Sequence, residues 1–437
     1  MNSPVDARIE VVLLTIILQM AMIIVAARAC GAAFRTFGQP QVCGEIAAGL
    51  LLGPSVLGRL APGFSHAIFS ASAAPMLAVI SQLGLILLMF IIGLEFDFSH
   101  LRTNRRAAAA ISAAGIVAPF LLGLGAAAVL YPYVGAGVNR TGFSLFIATA
   151  LSITALPILG RMLVEFNLQR TRLGTIAIGA AALDDVMGWT LLALVTALVR
   201  SAFSPGRMLI MVVETGAFAA LMILVMRPTF ARWSASIIRK HGRDLPLSAL
   251  AVVIVCVLLS AAVTNVIGLF SIFGGFIMGA ILFDQQELKE AILARLRDFI
   301  TVFFLPVFFT FTGLRTDIGS MDGGIAWLLC ALVLAAAIVG KLGGCYVAAR
   351  FSNFPPNEAR ALGILMNTRA LMELVVVNIG YEIGVIPRNV FFMLVLMAVV
   401  TTYMTTPLLR RALRGSSLSA AFEESAFVRG RQPAAAA

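Results

Sequence analysis

The sequence predicts an all-α polytopic membrane protein with about 13 transmembrane helices, arranged as an inverted repeat in which two helices are broken. Three observations lead there. Of the 437 residues, 60% are hydrophobic and only 12% charged, against roughly 45–50% and 25% in soluble chains. The apolar residues fall into thirteen runs whose flanking Lys and Arg alternate in density from gap to gap. Short motifs of the first half also recur, in the same order, in the second.

The runs lie near residues 9–27, 41–58, 74–95, 107–130, 142–163, 173–199, 208–226, 246–263, 270–283, 299–314, 325–349, 361–381 and 389–409. The second, ninth and tenth are short and carry Gly or Pro, as tilted or partly irregular spans do. With the amino terminus outside, the inside loops and tail hold about three times as many Lys and Arg as the outside segments, a positive-inside asymmetry that an even number of spans would spoil. The carboxyl terminus is therefore expected in the cytoplasm, with residues 413–437 forming a short disordered tail. The net charge of +11 is dispersed in twos and threes and builds no stripe for nucleic acid. Cys30, Cys43, Cys256, Cys330 and Cys345 lie in or beside apolar runs without a CxxC pair, and read as buried free thiols. Glu10 and Gln19 interrupt the first run, which argues against a cleaved signal peptide.

The repeat rests on order. Gly44 and Gly49 of the second run match Gly274 and Gly279 of the ninth at a shift of 230. Gly93-Leu94-Glu95-Phe96-Asp97 after the third matches Gly313-Leu314-Arg315-Thr316-Asp317 after the tenth, at a shift of 220. Thr154-Ala155-Leu156 in the fifth matches Thr368-Arg369-Ala370-Leu371 in the twelfth. Each partner lies seven runs later, and an odd displacement puts the halves in opposite orientations, a transporter architecture. The fifth and twelfth runs both carry helix-disfavouring residues at mid-depth: Ser152, Thr154 and Pro157 in one, Asn367, Thr368 and Arg369 in the other. Interrupted helices in matching positions point to a transport site; two kinked helices with polar packing are the plainer alternative.

A charge within a span is costly, by roughly 2.5–3.5 kcal/mol on insertion scales, and marks function. Beyond Glu95 at a span end, the candidates are Glu45, Asp184, Asp185, Glu214, Lys341, Arg369 and Glu373. Asp184 and Asp185 sit mid-run in Ala180-Ala181-Ala182-Leu183-Asp184-Asp185-Val186-Met187-Gly188-Trp189. Helix neighbours point about 100° apart, so one acid can hold an ion while the other meets a counter-charge. Lys341 is either that counter-charge or a snorkelling side chain. Arg369 and Glu373, four apart, can pair and neutralise the second break, with direct transport the lesser reading. Glu45 and Glu214 read equally as packing groups. His66, His100 and His241 fall in expected loops, where they could sense pH.

Desolvation disfavours the charged form of a buried carboxyl group, while the ionised form is a hard oxygen ligand, so proton and alkali cation compete for one site. If Asp184 pairs with Lys341, Asp185 carries the remaining charge and is neutral with either a proton or a monovalent cation. The hydroxyls of Ser152 and Thr154 and the carbonyls freed at the break are suited to replace the cation's water. An intramembrane aspartyl protease is the rival outside transport, but its two acids must face each other across a water, which adjacent residues on one helix cannot do.

Taken together, several stretches resemble the monovalent cation:proton antiporters with a sodium/hydrogen exchanger domain. They are Gln39-Pro40-Gln41-Val42-Cys43-Gly44-Glu45-Ile46 with Leu52-Gly53-Pro54-Ser55, then Gly93-Leu94-Glu95-Phe96-Asp97, and Ser152-Ile153-Thr154-Ala155-Leu156-Pro157-Ile158-Leu159. Leu183-Asp184-Asp185, Leu305-Pro306-Val307-Phe308-Phe309 with Gly313-Leu314-Arg315-Thr316, and Met366-Asn367-Thr368-Arg369-Ala370-Leu371-Met372-Glu373 follow in order. The resemblance covers residues 9 to 410 and is nearest to the branch holding plant cation/proton exchangers and bacterial Kef-type relatives. It implies an exchanger domain over residues 1–412, with interleaved core and dimerisation parts, two crossed broken helices and an elevator-like alternating-access cycle. It also implies a plasma-membrane homodimer without cofactor, with Asp185 as ion and proton carrier, Asp184 paired with Lys341, and Thr154 at the first break. The ligands for sodium or potassium would then be Asp185, Asp184 and Thr154, with Ser152 beside them and Lys341, Arg369 and Glu373 compensating charge. A Kef-type potassium efflux system is the alternative. It would need a separate regulatory subunit, because no GxGxxG motif of a nucleotide-binding domain follows the last run.

Overall fold

The computed structural model describes residues 4–37, 39, 41–69, 74–95, 105–133, 137–154, 156–168, 171–200, 205–241, 245–414 and 418–419. Nearly all of these are helical and none lies in a strand. In chain order the helices are α1 (Pro4–Thr36), α2 (Gln41–Leu52), α3 (Leu57–Leu60), α4 (Pro62–Ile68), α5 (Ala74–Glu95), α6 (Arg105–Leu130), α7 (Arg140–Ser152), α8 (Leu156–Glu165), α9 (Arg172–Arg200) and α10 (Pro205–Leu221). They continue as α11 (Arg227–His241), α12 (Leu247–Ile267), α13 (Ser271–Ala280), α14 (Gln286–Phe299), α15 (Leu305–Arg315), α16 (Gly323–Ile338), α17 (Gly344–Phe351), α18 (Pro356–Met366), α19 (Leu371–Glu382) and α20 (Arg388–Leu413). Among the described residues, ten helical stretches are long and apolar enough to cross a membrane, α18 and α19 counting as one. The fifth, ninth and tenth expected runs are helical in shorter pieces, as α7 with α8, α13 and α15.

Two expected loops are helices. α10 passes through a π-helical turn at Met222–Met226 into α11. This turn ends two residues before Pro228, whose missing N–H breaks the regular ladder. The charges that read as loop are Arg227, Arg232 and Arg239, and they decorate a helix whose Phe230 and Ser234 are buried four residues apart. α14 likewise buries Leu288 and Ile292 beneath its charged residues. His66 lies in α4 and His241 ends α11 rather than in loops, while His100, Phe96-Asp97, Ala155 and nearly all of the 413–437 tail fall outside the described residues.

The chain divides into two compact units, each built from three separated segments. The first comprises Met1–Arg28, Glu45–Asp97 and Thr196–Arg315. Its helices meet at glycines: a methyl group at Gly93 of α5 would lie 2.2 Å from the Phe276 carbonyl oxygen of α13, and one at Gly279 would lie 2.1 Å from that of Phe90. Only a bare Cα allows such a crossing. Met20, Ile23, Leu52, Leu77, Val307 and Phe311 form an apolar cluster in the same unit.

The second unit comprises Ala29–Gly44, Phe98–Val195 and Thr316–Ala437. Here α6 runs against α7 and against the stretch from α16 to α17, with Gly344 seated on the Ala114 carbonyl. A π-helical turn, Val339–Gly343, joins α16 to α17 and contains Lys341. π turns of this kind often occur at functional positions because they re-aim one side chain.

Candidate ion-binding site

The site is built within the second unit from two helix breaks. α7 stops at Ser152, and Ile153 is extended (φ −76°, ψ 141°); in an unbroken helix Pro157 would clash with the Ile153 carbonyl four residues earlier and could give it no N–H. Pro157 itself sits in the first turn of α8, where its missing N–H costs nothing. α18 stops at Met366, and Asn367 to Ala370 separate it from α19.

An α-helix leaves its last carbonyls without intrahelical partners and a partial negative charge at that end. The other elements of the unit supply what α7 lacks. The guanidinium of Arg369, from the second break, donates to the Ala150 oxygen at 3.1 Å and to the Leu151 oxygen. The ammonium of Lys341 donates to the Ser152 oxygen at 2.5 Å. In return the Thr154 hydroxyl donates to the Met366 oxygen at the end of α18, at 3.1 Å. Each break thus satisfies the other, and the two meet.

Lys341 also donates to the Gly115 oxygen at 2.8 Å and to Asp184 Oδ2 at 2.6 Å, which uses all three of its N–H groups. Its side chain and that of Asp184 are both 0% exposed. Lys341 therefore does not snorkel. Asp184 Oδ2 further accepts the Thr154 hydroxyl at 2.7 Å, and Oδ1 accepts the Ser112 hydroxyl of α6 at 2.6 Å.

Asp185 is equally buried and differently treated. Among the described residues neither of its carboxylate oxygens has a hydrogen-bond partner; the Leu156 N–H of α8 approaches it without meeting hydrogen-bond geometry. Asp184 and Lys341 cancel, and Arg369 with Glu373, 3.3 Å apart, cancel as well. The charge left over is that of Asp185. The Ser152 hydroxyl donates to the Ala148 and Ile116 oxygens at 2.7 and 3.2 Å, so Ser152 meets the cluster through its carbonyl.

Glu45 and Glu214 belong to the first unit. Glu45 is buried 3.9 Å from Arg28, and Glu214 is exposed on α10. Glu95 pairs with Arg297 at 2.5 Å. No disulfide joins the five cysteines; Cys43, Cys330 and Cys345 are buried as expected, whereas Cys30 and Cys256 are only half-buried. Among the described residues no group of three or more His, Cys, Asp and Glu side chains could hold a metal ion. Ser112 is the site residue that the sequence reading missed. Its only mark is a single hydroxyl in the Ala-rich start of α6, which carries no charge to betray it.

Residues 21–413 match the sodium/hydrogen exchanger, transmembrane family. The chain belongs to that family. The exchanger is 40% identical to the Na(+)/H(+) antiporter NhaS4 of Synechocystis sp. over 91% of this chain and 96% of the relative. It is 37% identical to cation/H(+) antiporter 18 of Arabidopsis thaliana over 93% of its own length, but spans only 49% of that longer protein. Its fold is similar to that of the sodium proton antiporter MjNhaP1 from Methanocaldococcus jannaschii, with a TM-score of 0.64, 15% identity, and coverage of 95% of this chain and 99% of that one. It is a multi-pass membrane transporter of the cation/proton antiporter type, not an enzyme, and its transported ions are its substrates.

Proposed function

We propose that the exchanger moves sodium or potassium against protons by alternating access, with Asp185 as the shared cation and proton site. The observation that carries this is the contrast between two adjacent buried acids. Asp184 holds three donors, while neither oxygen of Asp185 has a hydrogen-bond partner among the described residues. An isolated buried carboxylate is untenable without compensation. A proton or a monovalent cation each neutralises it, and only one of them fits at a time. The Thr154 hydroxyl oxygen, whose lone pairs its donated bonds leave unused, contributes to the cation's shell, Lys341 holds Asp184, and Arg369 with Glu373 keeps the second break neutral.

Thirteen spans in an inverted repeat are the architecture we assign, with the amino terminus outside, the carboxyl terminus in the cytoplasm, and two copies forming a homodimer in the plasma membrane. The repeat is supported by helix contacts. A methyl at Gly44 would lie 2.4 Å from the Cys30 oxygen, and one at Gly274 would lie 2.2 Å from the Ser260 oxygen. A single shift of 230 residues carries both members of the first contact onto the second. Gly49 meets the Phe309 oxygen as Gly279 meets that of Phe90, again with the roles of the halves exchanged.

The deciding experiment is Asp185→Asn in inside-out vesicles. Cation-dependent proton movement should vanish while the variant inserts and melts like the parent. Full exchange by that variant would overturn the mechanism.

A further inference from the structure

Ser112 is a buried side chain that nothing in the exchange cycle requires, yet it spends its hydroxyl on Asp184 Oδ1 at 2.6 Å. A carboxylate offers about four lone-pair sites on two oxygens. Thr154 and Lys341 together occupy Oδ2, and without Ser112 the whole of Oδ1 would be an anionic oxygen on the residue next to Asp185. A buried acceptor stripped of its donor seeks a new partner; the Lys341 ammonium already spends its three N–H groups on Oδ2 and two carbonyls, which leaves a cation arriving at the neighbouring Asp185 as the mobile positive charge that Oδ1 can take.

We infer that Ser112 is a specificity-determining positioning residue: by holding Oδ1, it keeps Asp184 out of the cation's coordination shell and leaves Asp185 as the sole carboxylate ligand. The consequence is a site of moderate field strength. Harder, smaller cations gain most from anionic oxygens, and larger ones tolerate a shell of hydroxyls and carbonyls, so the number of carboxylates sets their order. With one carboxylate the site accepts potassium and sodium on similar terms. With two it favours lithium and sodium.

This rests on the reading of Asp185 as the transport site, and the experiment separates the two. Proteoliposomes holding the parent, Ser112→Ala, Ser112→Thr and Asp185→Asn are assayed for proton flux driven by lithium, sodium and potassium. The apparent affinity for each ion and the maximal rate are measured separately. Ser112→Ala should raise the affinity for lithium and sodium relative to potassium about tenfold, with a much smaller change in maximal rate. Ser112→Thr, which keeps the hydroxyl, should restore the parent order. If Ser112→Ala lowers the rate for all three ions equally, or leaves their ratios unchanged while Asp185→Asn is inactive, the role given to Ser112 is wrong and the site stands. If Asp185→Asn still exchanges, the site itself is wrong. Thermal melting of Ser112→Ala accompanies the assay, since general loosening would not reorder ions.

Discussion

At the scale of single residues, the site is decided by which oxygens are already taken. Thr154 gives one hydroxyl to two acceptors, Asp184 Oδ2 and the Met366 carbonyl. Thr154→Val keeps the shape and removes both bonds, leaving the end of α18 unsatisfied at a cost of about 1–3 kcal/mol. The expected result is a several-fold weaker apparent affinity for the transported cation and a lower melting temperature. An unchanged affinity for both sodium and potassium would remove Thr154 from the site. The charged members of this cluster were legible in the sequence, because a carboxylate or ammonium in an apolar run has no cheap explanation. Ser112 was not. A hydroxyl costs little inside a helix, where it can bond to its own backbone, so its presence signals nothing until its partner is seen. Ser152 was legible as a member with either its hydroxyl or its carbonyl on offer, and the structure turns its carbonyl to Lys341 while its hydroxyl bonds to backbone oxygens.

At the scale of helices, the two breaks stand because side chains replace the hydrogen bonds that the breaks remove. Arg369 is the main replacement, holding two carbonyls of α7 and the Glu373 carboxylate at once. Removing one partner of a buried ion pair costs about 3–5 kcal/mol, whereas replacing both with apolar groups costs much less. Arg369→Met should therefore melt far below the parent and Glu373→Met somewhat below it. The Arg369→Met/Glu373→Met double variant should recover part of the loss, though not all, because the Ala150 and Leu151 carbonyls stay bare. Additive losses in the double variant would show that the pair is not coupled. The breaks themselves could be read from Pro157 and from Asn367-Thr368, residues whose local chemistry opposes a helix. α11 and α14 could not, since charge at the edge of an apolar run marks a loop and an amphipathic helix equally. The choice between them depends on whether Phe230, Leu288 and Ile292 find a surface to bury against, and in this fold they do.

At the scale of the whole carrier, the proposed alternating access through Asp185 makes the net charge of the site, when it changes sides, the quantity that matters. Lys341 with Asp184 contributes zero, Arg369 with Glu373 contributes zero, and Asp185 with either a proton or a monovalent cation contributes zero. The empty carrier has one uncompensated negative charge, which hydrocarbon disfavours strongly. It should stay on one side, and exchange should proceed without leak. Lys341→Ala shifts every state by one negative charge, so the loaded carrier then resembles the empty wild type and should stall. Asp184→Asn/Lys341→Met removes both charges and restores a neutral loaded carrier. Proton flux measured in proteoliposomes at clamped membrane potential checks this directly. The parent should exchange only when sodium or potassium is present opposite the proton gradient, Lys341→Ala should be slow with either ion, and the double variant should be faster than Lys341→Ala. A double variant as slow as the single would mean that the ammonium of Lys341 is needed for more than its charge, with the Ser152 and Gly115 carbonyls that it holds as the first place to look.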